Sequence, residues 1–309
     1  AQPETLQRMV EAGMTGIRMN LSHGPLSAHK DWLDIIHAVG IPQLLIDLQG
    51  PELRIGTLPQ PLVLEPGQSL RLGQGGVPCP TALVHAARPG QNLLLDDGRL
   101  LVQVAEADGA ALQCTVVRGG TLQSRKSLAA PGLTVASPTL TEEDLQNLQL
   151  AGACGVTGVM LPFVRGAEDI RTLRRALEQA GAGQIRIFAK IENMTGLHRL
   201  DEILPLADVV VIARGDLGNA MPLWELPRAQ TLIASKCRAA KRPFMVSTQM
   251  LHSMHHAAVP TRAEVADVYQ AARSGADYLL LTGETAVGNR VNCIANPHTC
   301  RETEYDLSI

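Results

Sequence analysis

The sequence predicts an α/β fold: a (β/α)8-type TIM barrel interrupted by a small all-β domain. Three observations predict it. Amphipathic helical stretches alternate with short apolar runs along most of the chain. Polar and charged residues gather at or just past the C-terminal ends of those runs. One stretch, residues 55–135, drops the alternation for hairpin signals. Alternating strands and helices imply a parallel sheet covered by helices.

In chain order, a helix over 5–12 leads to the run GIRMN (16–20), and a helix over 27–39 leads to QLLIDLQG (43–50). Beyond the break, helices over 141–151, 167–180 and 197–206 lead to TGVMLPFV (157–164), IRIFAKIE (185–192) and ADVVVIARGD (207–216). Helices over 223–240 and 261–274 lead to PFMVSTQML (243–251) and ADYLLLTGE (276–284). Seven such runs are one short of a closed barrel, so a further strand is expected before residue 1. An open doubly wound sheet competes. The rim residues Asn20, Asp47, Arg165, Lys190, Glu192, Arg214, Asp216, Thr248 and Glu284 favour the barrel, whose strand ends converge on one mouth. An open sheet would spread them along an edge.

The break carries turn signals at 66–68, 88–92 and 96–98, and alternating runs at 99–107 and 111–120. The expected division is a discontinuous barrel, residues 1–54 and 136–309, with an inserted β domain, 55–135, acting as a lid. In a seven-stranded barrel the edge side chains Ile17, Leu279 and Leu281 are expected to lose cover, which favours self-association.

Hydrophobic residues make up 45% of the 309 and aromatics only 3%, so the core must be aliphatic. A net charge of −3 gives no broad electrostatic grip on nucleic acid or anionic lipid. The six cysteines, Cys79, Cys114, Cys154, Cys237, Cys293 and Cys300, form no CxxC pair and no zinc-spaced cluster. They read as reduced thiols of a cytoplasmic protein. No signal peptide opens the chain, and no apolar run is long enough to span a bilayer.

AKIEN (189–193) and ARGDLG (213–218) end successive strands and place Lys190, Glu192 and Asp216 at one rim. Two carboxylates there suit a hard divalent cation such as Mg²⁺. A neighbouring lysine suits a phosphoryl group in transfer. A plain rim salt-bridge cluster explains either motif alone equally well. In RMNLSHG (18–24), Asn20 and Ser22 offer neutral oxygens and Arg18 a guanidinium for phosphate; an Asn- or Ser-capped turn has the same composition. In DLQGPELR (47–54), Asp47 ends a strand and Gly50-Pro51 turns the chain into the insert. Thr248 offers a hydroxyl at the mouth, or merely satisfies a strand end. Thr261 and Glu264 read as a capping box. Arg125 and Lys126 in SRKS offer charge to a nucleotide phosphate, or form a solvated basic turn.

Ten segments in order, MNLSHG, DLQGPELR, LDDG (95–98), LTEED (140–144), PFVR (162–165), AKIEN, ARGDLG, STQMLHSM (247–254), PTRAEVADV (260–268) and LTGETAVG (281–288), resemble those of pyruvate kinases. The resemblance covers about residues 4–289. It implies a phosphotransferase acting on phosphoenolpyruvate and ADP, with pyruvate and ATP as products. It implies Mg²⁺ (or Mn²⁺) on Glu192 and Asp216, and K⁺ on Asn20, Ser22, Asp47 and the Leu48 carbonyl. By the same resemblance Lys190 stabilises the phosphoryl group and Arg18 contacts phosphate. Gly215, Asp216 and Thr248 hold the substrate carboxylate, and protonation occurs near Thr248 through water. His23, Arg54, Lys126 and Asn20 lie along the nucleotide. Glu52 stands where potassium-independent members carry lysine, so K⁺ dependence is implied. A homo-oligomer is implied too. The chain departs from the pattern at Leu48-Gln49, usually Thr-Lys, at Ala220, usually Glu, and at Glu143, usually Lys. It lacks the family's TIGP-like first strand and C-terminal regulatory domain. Residues 290–300 match poorly, while 300–307 again resemble the family's next helix. The alternatives are a catalytically impaired or non-catalytic barrel, and a lyase of the related phosphoenolpyruvate- or pyruvate-binding barrels. The insert with its SRK motif speaks against the lyase.

Overall fold

In a computed structural model of the chain, the structure describes residues 3–96, 98–133 and 137–286. The poorly matching stretch 290–300, the 300–307 helix, Cys293 and Cys300 lie outside them. Among the described residues, seven strands form one parallel sheet: β1 Ile17–Asn20, β2 Leu44–Asp47, β3 Gly158–Leu161, β4 Arg186–Ile191, β5 Val209–Ala213, β6 Phe244–Ser247 and β7 Tyr278–Leu280. Their order in space is their order in sequence. That is the winding of a TIM-type barrel; a doubly wound sheet would reverse direction once. β1 and β7 are each paired on one side only among the described residues.

Burial follows from this order. Every residue of β2, β3, β5 and β6 is buried, whereas every residue of β1 and β7 is only half-buried, Ile17 and Leu279 included. Leu281 is half-buried as well. The inner cluster joins Leu45, Met160, Phe188, Val209, Val211, Ala213 and Met245. Phe188, one of only three phenylalanines, fits because β3 offers Gly158 beside it. A Cβ at Gly158 would lie 2.6 Å from both Phe188 and Leu45. Burying such a side chain contributes roughly 1.5–3 kcal/mol.

The helices form where the spacing predicts, with one exception. Glu142–Ala151 and Arg262–Arg273 both start at a threonine capping box, Thr141 with Asp144 and Thr261 with Glu264. Ala167–Gln179 buries Ile170, Leu173, Ala176 and Leu177, a stripe at helical spacing. The helix expected over 197–206 is instead two short pieces, Met194–His198 and Leu200–Ile203, broken at Arg199. The first piece starts early because the Asn193 side chain accepts the Gly196 N–H.

The described residues divide into two compact units. One takes those up to Gly50, Leu140–Arg214 and those from Pro227 onward; the other takes Pro51–Thr139 with Gly215–Leu226. The second contains an antiparallel sheet of Ser69–Gly73, Ala111–Arg118, Leu100–Ala107, Asn92–Leu95 and Leu128–Ala129, in that spatial order. Its central hairpin turns where Asp108 accepts the N–H groups of Ala110 and Ala111 at 2.8 and 2.6 Å. This region is not wholly β: Thr81–Ala86 forms a helix that buries Leu83 and Val84 in the unit's core. Six residues are too short for hydrophobic periodicity to reveal a helix.

Candidate active site

β1 and β2 end in register, Asn20 opposite Asp47. This brings Arg18, two residues back on β1, to Asp47, with Nε and Nη2 at 2.9 and 2.8 Å from Oδ2. Lys190, near the end of β4, reaches the same carboxylate at 3.3 Å. Its Nζ also lies 2.8 Å from Glu192 Oε1. Arg18, Asp47, Lys190 and Glu192 thus form one chain of alternating charge. Its two carboxylates are buried, each residue 3% exposed, so the attraction acts with little solvent screening. Glu192 Oε2 accepts the Phe163 N–H at 2.8 Å. The partner of the buried Oε1 is the Lys190 ammonium. Phe163 has φ 53°, a conformation side chains avoid, and such strain persists where the surroundings enforce it.

Asn20 also caps the 3₁₀ turn Leu21–His23 by accepting the Ser22 N–H at 3.2 Å. Ser22 and His23 are exposed on that turn. The capped-turn reading of RMNLSHG is therefore realised, and it leaves both side chains facing solvent.

A second constellation stands at the end of β6. Thr248 and Gln249 have φ 76° and 55°, each costing roughly 1–3 kcal/mol. Arg214, at the end of β5, holds them: it donates to the Thr248 carbonyl at 2.7 and 3.1 Å and to that of Gln249 at 3.2 Å. Its Nη1 donates to both carboxylate oxygens of Asp267, at 2.8 and 2.7 Å. Glu264 accepts the Ser253 N–H at 2.7 Å and its hydroxyl at 2.5 Å. Burial alone would raise the Glu264 pKa, but hydrogen bonds from Ser253 and Thr261 outweigh it and hold the carboxyl at about 2. Glu284 accepts from Leu251 and Thr282 at 3.3 and 2.7 Å. Burial opposes its ionisation, yet these N–H donors keep its pKa below the ordinary value.

Of the remaining predicted site residues, Gly215, Asp216, Arg54 and Lys126 belong to the second compact unit. Asp216 is exposed in the first turn of the helix Arg214–Asn219. Lys126 pairs with the buried Asp96 at 2.8 Å, and Arg54 with Glu52 at 2.7 Å. Among the described residues no group of three or more His, Cys, Asp or Glu is placed to hold a metal, and no helix is long and apolar enough to cross a membrane. The four described cysteines are free; burial raises the thiols of Cys79, Cys114 and Cys237 to about 11, 12 and 12. Phe163, Asp144, Asn147 and Asp267 stand at or behind the site with no role assigned to them from sequence. Only Asp144 carried a signal, three residues after Thr141 in LTEED.

The family model for the pyruvate kinase barrel domain matches residues 1–292. Pyruvate kinase of Chlamydia pneumoniae is 36% identical over 300 residues, covering 93% of this chain and 62% of the relative. That of Aeropyrum pernix is 38% identical, covering 92% and 63%. Plastidial pyruvate kinase 2 of Arabidopsis thaliana is 35% identical, covering 92% and 52%. The chain therefore spans between 52% and 63% of the length of these relatives. With a family match that takes in all of the described residues, the chain belongs to the pyruvate kinase family.

Proposed function

We propose that this chain carries the active-site region of a pyruvate kinase and moves a phosphoryl group between phosphoenolpyruvate and ADP. The observation that carries the reading is the buried rim chain Arg18–Asp47–Lys190–Glu192. An ammonium held between two carboxylates is oriented before substrate arrives, as transition-state stabilisation of a phosphoryl group requires. Lys190 takes that role, and Arg18 meets the phosphate.

Glu192 fits a hard divalent cation as a buried carboxylate at a strand end, with Oε1 held, among the described residues, only by the Lys190 side chain. With Asp216 it would hold Mg²⁺ or Mn²⁺, which when bound neutralises charge on substrate oxygens. Asn20, Ser22, Asp47 and the Leu48 carbonyl fit K⁺. Asn20 and Asp47 stand opposite each other at paired strand ends, and Asp47 would share its carboxylate between the ion and the two cations already on it, Arg18 and Lys190. Thr248 and the backbone of Gly215 and Asp216 would hold the substrate carboxylate, with enolate protonation beside Thr248 through water. His23, Arg54, Lys126 and Asn20 would lie along the nucleotide, whose phosphates would compete with Asp96 and Glu52 for the two cations. The reading carries with it a cytoplasmic homo-oligomer with no nucleic-acid or membrane partner.

A barrel that binds these ligands without turnover is the second reading, favoured by Leu48-Gln49, where the resemblance leads one to expect Thr-Lys. A lactate dehydrogenase-coupled assay separates the two. Pyruvate is expected only with phosphoenolpyruvate, ADP, Mg²⁺ and K⁺ all present. No pyruvate above background at saturating substrates would reject turnover. Full activity with tetramethylammonium replacing K⁺ at constant ionic strength would sink the K⁺ assignment.

A further inference from the structure

The loops that leave β1 and β2 carry the proposed K⁺ donors, and both are tied to one helix. That helix, Glu142–Ala151, contributes two fully or nearly fully buried polar side chains one turn apart, Asp144 and Asn147. Residues three apart share a helix face. Asp144 Oδ2 accepts the Thr141 N–H at 2.9 Å and so completes the helix cap. Its Oδ1 points elsewhere, accepting the N–H groups of Gln49 and Gly50 at 3.1 and 3.4 Å. These follow Leu48 directly. Asn147 Oδ1 accepts the N–H of Leu26 at 2.7 Å, four residues past Ser22. Gly50 admits no side chain, since its φ is +61° and a Cβ would lie 2.6 Å from Pro162.

A helix cap needs only one carboxyl oxygen. The second oxygen of Asp144, and the amide of Asn147, act on segments 94 to 121 residues away in sequence. Both segments adjoin the same proposed donor set. We infer that Asp144 and Asn147 are positioning residues that fix the β1 and β2 loops at the spacing K⁺ requires, without touching the ion. The inference rests on the K⁺ reading of Asn20, Ser22, Asp47 and the Leu48 carbonyl. Asparagine at position 144 has one acceptor oxygen in place of two, so either the cap or the β2 loop loses its partner.

The test is thermal unfolding of the purified chain against KCl, with tetramethylammonium holding ionic strength constant. Asp144→Asn and Asn147→Leu are expected to raise the K⁺ concentration for half-maximal stabilisation by roughly tenfold, about 1.4 kcal/mol. Asn147→Asp keeps the acceptor and is expected to stay within about twofold of the wild type. If the wild type responds to K⁺ and both disruptive variants respond at the same concentration, the inference is wrong and the K⁺ site stands. If the wild type does not respond at all, the K⁺ reading itself fails. Hydrogen exchange on the wild type covers variants that do not fold. K⁺ is expected to slow exchange at Leu26, Gln49 and Gly50, and unchanged exchange there would overturn the brace.

Discussion

Two sectors of the strand-end rim use charge in opposite ways. At the ends of β1, β2 and β4, cations meet carboxylates: Arg18 and Lys190 with Asp47, and Lys190 with Glu192. At the ends of β5 and β6, charges chiefly meet backbone. Glu264 and Glu284 accept N–H groups, and Arg214 donates to the Thr248 and Gln249 carbonyls. Side-chain ion pairs exchange partners when an anionic ligand arrives, whereas backbone contacts hold a loop in one conformation. The first sector therefore reads as the one that acts on substrate, and the second as the scaffold that keeps Thr248 in its strained geometry. Substitutions in the two sectors should fail differently.

The largest effect is expected at Lys190. Lys190→Met should slow phosphoryl transfer by on the order of a thousandfold or more. The chain should still fold, because Asp47 keeps Arg18 and Glu192 keeps the Phe163 N–H, but with reduced stability, since the buried Glu192 Oε1 loses its ammonium. Steady-state turnover beside circular dichroism checks both halves. A smaller loss, but one of both rate and stability, is expected for Arg214→Lys. A single ammonium cannot serve Asp267 and two carbonyls in the planar arrangement of the guanidinium. Losing part of this network, with the Asp267 side chain one-third exposed, should cost roughly 1–2 kcal/mol, read as a lower denaturation midpoint.

The smallest effect is confined to acid. The Glu264 carboxyl is held at about 2 in the folded chain, below its ordinary 4.5. A depressed carboxylate stabilises the fold above its unfolded pKa, and the contribution fades as pH falls toward the folded value. The gap in melting temperature between the wild type and Glu264→Gln should thus be full above pH 4.5 and close as pH falls toward 2. A gap independent of pH would remove the ionised carboxyl from the scaffold.

Much of this architecture is legible in the amino-acid sequence. Seven apolar runs separated by helical stretches give the parallel sheet in its sequential order, because the central runs lack the polar alternation of a half-exposed strand; GIRMN alternates and is half-buried. The charges of AKIEN mark the rim, because two polar residues ending an apolar strand have few other reasons to be there. Other features depend on distant pairing that no local pattern encodes. Asp144 stands in LTEED with no role in the site legible there, yet its Oδ1 serves Gly50, 94 residues away. Asp267 has no role legible in PTRAEVADV, yet it pairs with Arg214. The positive φ angles of Phe163 and Thr248 are hidden because neither residue type signals a left-handed turn.

The most direct test of the division between an acting and a holding sector measures two quantities on the same preparations. Pyruvate formation and the denaturation midpoint are determined for the wild type, Lys190→Met and Arg214→Lys. The expected result is that Lys190→Met loses rate far out of proportion to stability, while Arg214→Lys loses the two together. A Lys190→Met chain that keeps near-normal turnover, or an Arg214→Lys chain of unchanged stability, would contradict it.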